Sequence, residues 1–138
     1  MQINTAQLWV HDQDEALAFY TKKVGMEVRA DVTVPELGDF RWLVVAPAGQ
    51  QDVGIVLMAI PGEPVMDSQT ADDVRNLMAK GFAGTVFLTT DDVQADYEGM
   101  KARGAEFTQP PTDVTGSKIA VLRDGCGNLV QVTQLKKW

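Results

Sequence analysis

The 138 residues contain a single cysteine and a single histidine. A single cysteine excludes an intrachain disulfide framework and suits a reducing cytoplasm. A single histidine excludes any mechanism needing two imidazoles from one chain, the two-His-one-carboxylate iron site and most three-ligand zinc centres among them. No apolar run approaches the ~20 residues that cross a bilayer. The opening MQINTAQLWVHD lacks the basic-then-apolar order of a secretory signal. Basic residues are also scarce, with 12 Lys and Arg against 19 Asp and Glu for a net charge of −7. They form no cluster of the kind that tracks a phosphate backbone. The expectation is a cytoplasmic protein with neither a nucleic-acid nor a membrane partner. Its acidic field keeps it soluble and would favour a cationic small ligand.

What is present is ordinary for one packed domain or two small intimate modules: 45% hydrophobic residues and 22% charged. INTAQLWV (3–10) reads as a strand with Thr5, Gln7 and Trp9 on one face and Ala6, Leu8 and Val10 on the other. Asp12, with Glu15 three residues on, opens a helix. Ala16, Phe19, Tyr20 and Val24 continue it at helical spacing, and Gly25 stops it. Three strand-like runs follow at 26–34, 40–46 and 52–60, separated by the turn sequences PELGD and PAGQQ.

The second half repeats this order. GTVFLTT (84–90) is a strand, and 91–103 is a helix with Val93, Tyr97 and Met100 inward, closed by Gly104. AEFTQ, SKIAVLR and NLVQVTQ are three more strands. An offset of 79 places Asp12 on Asp91, Ala16 on Ala95, Gly25 on Gly104 and Glu27 on Glu106, as an internal duplication would. Between the halves a Pro/Gly start leads to a further helix, with Thr70 and Asp73 at its cap. Its apolar stripe of Ala71, Val74, Leu77 and Met78 reads as packing surface. The expected fold class is α+β: a βαβββ module at 1–60, a linker with a helix at 61–83, and a second βαβββ module at 84–138.

DQDEALAFYTKKVGMEV (12–28), DDVQADYEGMKARGAEF (91–107) and RDGCGNLVQ (123–131) together resemble the vicinal-oxygen-chelate superfamily of glyoxalases, ring-cleaving dioxygenases and bleomycin-resistance proteins. The resemblance covers nearly the whole chain except the inter-module helix. It implies that each module's sheet curls into a half-barrel and that two halves enclose a ligand cup, within one chain or across a homodimer. In metal-dependent members it further implies four ligand positions. Here they fall on Thr5, on Thr85 (or Gly84, if Asp91 is the anchor), on Gln131, and within VGIVLMAI (53–60). Hydroxyls and one amide are poor substitutes for imidazole or carboxylate. No metal and no other cofactor is therefore expected, and the metal-driven glyoxalase and dioxygenase chemistries fall with it.

Alternation would line such a cup with Thr5, Gln7 and Trp9 from the first strand and Thr85, Phe87 and Thr89 from its counterpart. The last strand adds Leu129, Gln131 and Thr133. Arg41 and Trp42 are adjacent on a strand, so one of them faces the cup; if Trp42, it forms a stacking wall with Trp9. These residues suit an aromatic or cationic small molecule. His11 is expected in a solvated turn. Cys126 is a bystander at a hairpin tip whose shape comes from Asp124 and two glycines, with Asn128 in one of its less common backbone conformations. The functional expectation is a metal-free binding protein that sequesters a drug or metabolite. The alternatives are an isomerase or lyase using a rim carboxylate (Glu36, Asp39, Asp52 or Glu63), or a metalloenzyme with rebuilt ligands. No catalytic residue stands out.

Overall fold

Two four-stranded mixed sheets carry the chain in a computed structural model that describes residues 1–136; Lys137 and Trp138, the end of the second module, lie outside the described residues. The first sheet contains β1 (Thr5–Val10), β2 (Glu27–Val34), β3 (Phe40–Ala46) and β4 (Gly54–Ala59) in the order β1-β4-β3-β2. The second contains β5 (Thr85–Thr89), β6 (Glu106–Val114), β7 (Ser117–Arg123) and β8 (Leu129–Leu135) in the order β5-β8-β7-β6. In each sheet the first strand runs parallel to the last, and the other pairs are antiparallel. The parallel pair needs a crossover, and the helices α1 (Gln13–Ala18) and α3 (Val93–Ala102) begin those crossovers. The architecture is two tandem βαβββ modules with α2 (Ser68–Ala79) between them.

The repeat is offset by 80 residues at its start and 79 at its end. Asp12 and Asp92 are the N-caps, and their carboxylates accept from the backbone N–H of Glu15 and Ala95 at 2.9 and 3.0 Å. Asp91, expected as the equivalent of Asp12, is exposed and caps nothing. Gly25 and Gly104, at φ 92 and 93, do superpose at the helix ends. The first module therefore has one extra residue inside its helix. It is absorbed where α1 passes into a π turn at Phe19–Lys23, the usual way a helix takes an insertion without breaking.

α2 starts earlier than expected. Its cap is Asp67, which accepts from the Thr70 N–H and hydroxyl, both at 2.8 Å. Thr70 is thus a partner of the cap and not the cap itself. Of the predicted stripe, Ala71 and Met78 are buried, Val74 is partly so, and Leu77 is exposed. No helix among the described residues is long and apolar enough to cross a membrane.

The helix-bearing faces of both sheets feed one core. Leu8, Val10, Leu43 and Leu57 of the first module join Val93, Met100, Leu122 and Val130 of the second. Fully buried leucines such as Leu43, Leu57 and Leu122 each contribute roughly 1.5–3 kcal/mol. The opposite, concave faces are left facing outward. Their assignment follows from Gly54, where an added Cβ would meet Val44 Cγ1 at 2.6 Å and Thr5 Cγ2 at 3.9 Å. Thr5, Gly54 and Val44 therefore share one face, and strict alternation sets the rest.

Candidate functional site

The concave face of the first sheet carries Thr5, Gln7 and Trp9, as alternation predicts. Val44 pairs with Val56, and continuing that register sets Trp42 beside Met58, the partner of Trp9. Trp42 is thus the residue that faces the concavity, with Phe40 on the same face, ring centroids 6.4 Å apart. Arg41 points to the helix side. It donates to Asp14 at 2.7 Å and to both oxygens of Asp31 at 2.9 and 3.0 Å. These bonds raise the guanidinium further above its ordinary value and hold the Asp31 carboxyl below the usual carboxylate range. Gln13 anchors α1 over this strand by donating to Leu57 O at 2.9 Å.

On the second sheet Thr85, Phe87 and Thr89 pair in register with Leu129, Gln131 and Thr133. All six face the second concavity. Phe87 is 70% exposed, an unusual state for a strand aromatic with nothing to cover it. Gln131 Nε2 donates to Thr133 Oγ1 at 3.3 Å, and among the described residues its amide oxygen has no partner.

The metal positions implied by the motif resemblance can be tested on this geometry. Asp92 as cap favours Thr85 over Gly84. Gly84 also faces the other way, since a Cβ there would meet Leu8 Cδ2 at 2.8 Å. Gln131 pairs with Phe87, two residues into β5, and the same place in the first module is Val56, paired with Gln7. The four positions are therefore Thr5, Val56, Thr85 and Gln131. A buried valine, two hydroxyls and an amide do not fit a divalent ion, which needs anionic or imidazole donors to offset its dehydration. Among the described residues no group of three His, Cys, Asp or Glu side chains converges on any one point.

Among the described residues the clefts beside β1 and β5 are separate. Gln7 and Trp9 line a cleft of about 420 Å³ against Leu77 and Phe82 of the α2 segment. Phe87 and Thr89 line another of about 360 Å³, which shares no residue with the first. Thr5 and Trp42 share the sheet face of Gln7 and Trp9, and Thr85 and Gln131 that of Phe87 and Thr89, but these four residues line neither cleft.

The turn between β7 and β8 joins the modules. Asp124 is 4% exposed, and its Oδ1 accepts from the backbone of Cys126 at 2.7 Å and of Asn128 at 3.0 Å. Its Oδ2 accepts from the Tyr20 hydroxyl and from Asn128 Nδ2, both at 2.9 Å. Asn128 Nδ2 also donates to Trp9 O at 2.8 Å, and its Oδ1 accepts from Gly84 N at 2.9 Å. Two expectations are corrected here. Asn128 has no positive φ; Gly125 and Gly127 do, at 84 and 91, and Asn128 acts through its side chain. Cys126 is 3% exposed and not displayed at a tip, because the turn folds against the C-terminal end of α2. Burial pushes its thiol pKa up, which disfavours the nucleophilic thiolate. His11 is exposed, as expected of a turn residue. The Asp124–Asn128 spacing was visible in the sequence, but its distant partners Tyr20 and Trp9 carried no local signal.

Comparison with known proteins agrees with this geometry. The family model described as "Glyoxalase/Bleomycin resistance protein/Dioxygenase superfamily" matches residues 2–132. An uncharacterized Bacillus subtilis (strain 168) protein, YurT, is 35% identical over 134 residues, 97% of this chain and 99% of its own. The crystal structure of UcmS2 superposes with a TM-score of 0.86 at 36% identity, covering 96% of this chain and 97% of that one. TnmS3, an antibiotic binding protein from Streptomyces sp. CB03234, superposes with a TM-score of 0.73 at 27% identity over 99% and 97% of the two chains. The chain belongs to the glyoxalase/bleomycin-resistance/dioxygenase superfamily, the vicinal-oxygen-chelate group.

Proposed function

We propose that this protein is a metal-free small-molecule binder whose cup is completed in a homodimer, the first sheet of one protomer facing the second sheet of its partner. The observation that carries the reading is the donor set Thr5, Val56, Thr85 and Gln131, where a metalloenzyme of this superfamily would need anionic or imidazole ligands. The antibiotic-binding activity stated for TnmS3 supports binding over turnover. So does the lack of a poised carboxylate. Among the described residues, the ionisable side chains paired in concave register are Glu27, Glu106 and Arg123, all at strand ends, with Arg29 in the bulge beside Glu27. Glu27 pairs with Arg29 at 2.7 Å, and Glu106 pairs with Arg123 at 3.3 Å. The dimer is supported by two half-sites that share no cleft and by Val32 and Phe87, 54% and 70% exposed on the concave faces.

Light scattering on a sizing column, metal analysis of the purified protein, and calorimetric titration against a broad panel of aromatic and cationic natural products test this reading together. The expected results are a dimer, no stoichiometric metal, and saturable one-to-one binding per cup by at least one compound. A stoichiometric divalent metal sinks the metal-free reading, and a blank panel sinks the binding reading.

A further inference from the structure

The two concave faces differ in chemistry. Across the first sheet one row runs Gln7–Val56–Val44, and Trp9, its partner Met58 and, by continued alternation, Trp42 lie on the same face, so one amide interrupts an apolar, aromatic surface. Across the second, one row runs Phe87–Gln131–Val121–Gln109. The next runs Thr89–Thr133–Ile119–Thr112. Hydroxyls and amides alternate there with apolar groups. The polar positions lie at neighbouring strand spacings, as a set of hydrogen-bonding points along a line. The Gln131–Thr133 bond fixes one of them, with the Gln131 oxygen left as an acceptor and the threonine hydroxyls as donors or acceptors.

Charge is the second observation. Among the described residues no ionisable side chain stands in the central rows, the three at the strand ends are already paired, and Asp96 and Arg103 border the Phe87–Thr89 cleft only from the α3 side. The acidic residues behind the net charge of −7 stand elsewhere, in loops and on helices. Two indole faces attract a cation, but a cation enclosed here would lose its hydration without a carboxylate to replace it. The acidity of the whole chain therefore does not describe its site.

We propose that the ligand is uncharged and two-sided. A flat aromatic body lies on the Trp9–Trp42 surface, and hydroxyl or carbonyl groups along one edge meet the Gln131–Thr133 row. This rests on the reading that the two faces bind one ligand between them, and it selects within that reading against a cationic ligand. The polar row confers selectivity because an unpaired amide or hydroxyl left buried by a bare hydrocarbon ligand is costly.

Equilibrium dialysis of the full chain at mildly acidic pH tests the proposal with three planar probes of similar size. These are the hydroxylated neutral kaempferol, the bare neutral flavone and the cationic acridine orange. Kaempferol is expected to bind at least tenfold more tightly than flavone, and acridine orange no more tightly than flavone. Gln131→Leu and Thr133→Val should bring kaempferol down to the affinity of flavone, while Trp42→Ala weakens both in parallel. Circular dichroism confirms that each variant is folded. Acridine orange binding more tightly than kaempferol overturns the proposal, as does an unchanged kaempferol-to-flavone ratio in the Gln131 and Thr133 variants. If none of the three probes binds, the proposal is overturned, and the broader binding reading then stands or falls on the wider panel.

Discussion

The Tyr20 hydroxyl donates to Asp124 Oδ2 at 2.9 Å, so the end of the first module's helix holds the closing turn of the second across 104 residues of chain. Both groups are buried, and among the described residues no cation pairs with the carboxylate; four hydrogen bonds replace its water. Removing a donor from such a group leaves it partly unsatisfied in a place water does not reach. Tyr20→Phe should lower stability by about 1–3 kcal/mol, read from urea unfolding. A loss below a few tenths of a kcal/mol would show that Asp124 is satisfied without the phenol.

The same pair makes an alkaline prediction. Burial raises the Tyr20 phenol above its ordinary pKa of 10.0, and Asp124 raises it further. The folded state keeps the proton, whereas the unfolded chain releases it from about pH 10 upward. Stability from this site is therefore complete below that pH and declines as pH rises beyond it. The urea midpoint of the wild type should fall with pH above 10.0 more steeply than that of Tyr20→Phe. Equal slopes would remove Tyr20 as the cause.

Gly127 and Gly125 both have positive φ, yet only one is crowded. A Cβ at Gly127 would lie 2.1 Å from the Met78 carbonyl oxygen, whereas at Gly125 nothing lies within 4 Å. Gly125→Ala should cost about 1–2 kcal/mol, the strain of a left-handed residue alone. Gly127→Ala must also push α2 off the turn and should exceed ~4 kcal/mol, which shows as lost soluble expression or a collapsed melting transition.

Asn128 serves Gly84, Trp9 and Asp124 with one side chain. Asn128→Ala should cost at least ~2 kcal/mol, because the buried Asp124 and the part-buried Gly84 N–H and Trp9 carbonyl lose their mate at once. Tyr20→Phe and Asn128→Ala share Asp124 and should not add. A double-mutant cycle should return a coupling of about 0.5–3 kcal/mol.

Arg41 looks better connected but should matter less. Its partners Asp31 and Asp14 are 39% and 84% exposed, so solvent screens both pairs. Arg41→Met should cost no more than ~1 kcal/mol and should respond to added salt. Asp31 sits below its ordinary pKa in the folded state, so its share is present at neutral pH and lost as pH falls through the folded value. Acid titration of both proteins by NMR checks the direction.

Much of the fold was legible because its signals are local. The cap at Asp12, the helix-ending glycines and the period-two faces of β1, β5 and β8 all follow from a few neighbouring residues. The harder positions depended on something distant. The extra residue in the first helix shifted the repeat by one, and only the π turn at Phe19–Lys23 shows where it went. Adjacent residues offered no choice between Arg41 and Trp42. Two carboxylates on α1 and β2 decided it by holding the arginine on the helix side. Cys126 resembled a hairpin tip until α2 closed over it.

The sequence by itself determined the module, its duplication and the residue types at the concave positions, because propensity, alternation and capping act within a few residues. The motif spacing also set hydroxyl, amide and apolar residues at the positions where metal-dependent relatives would carry ligands. Tertiary structure decided which faces are buried and which stay open. The helix sides of both sheets merge into one core through Tyr20, Asp124 and Asn128, so Gln7 with Trp9 and Phe87 with Thr89 line separate clefts. That outcome belongs to contacts across 100 residues or more, such as Asn128 with Trp9 at a separation of 119, which no local pattern encodes.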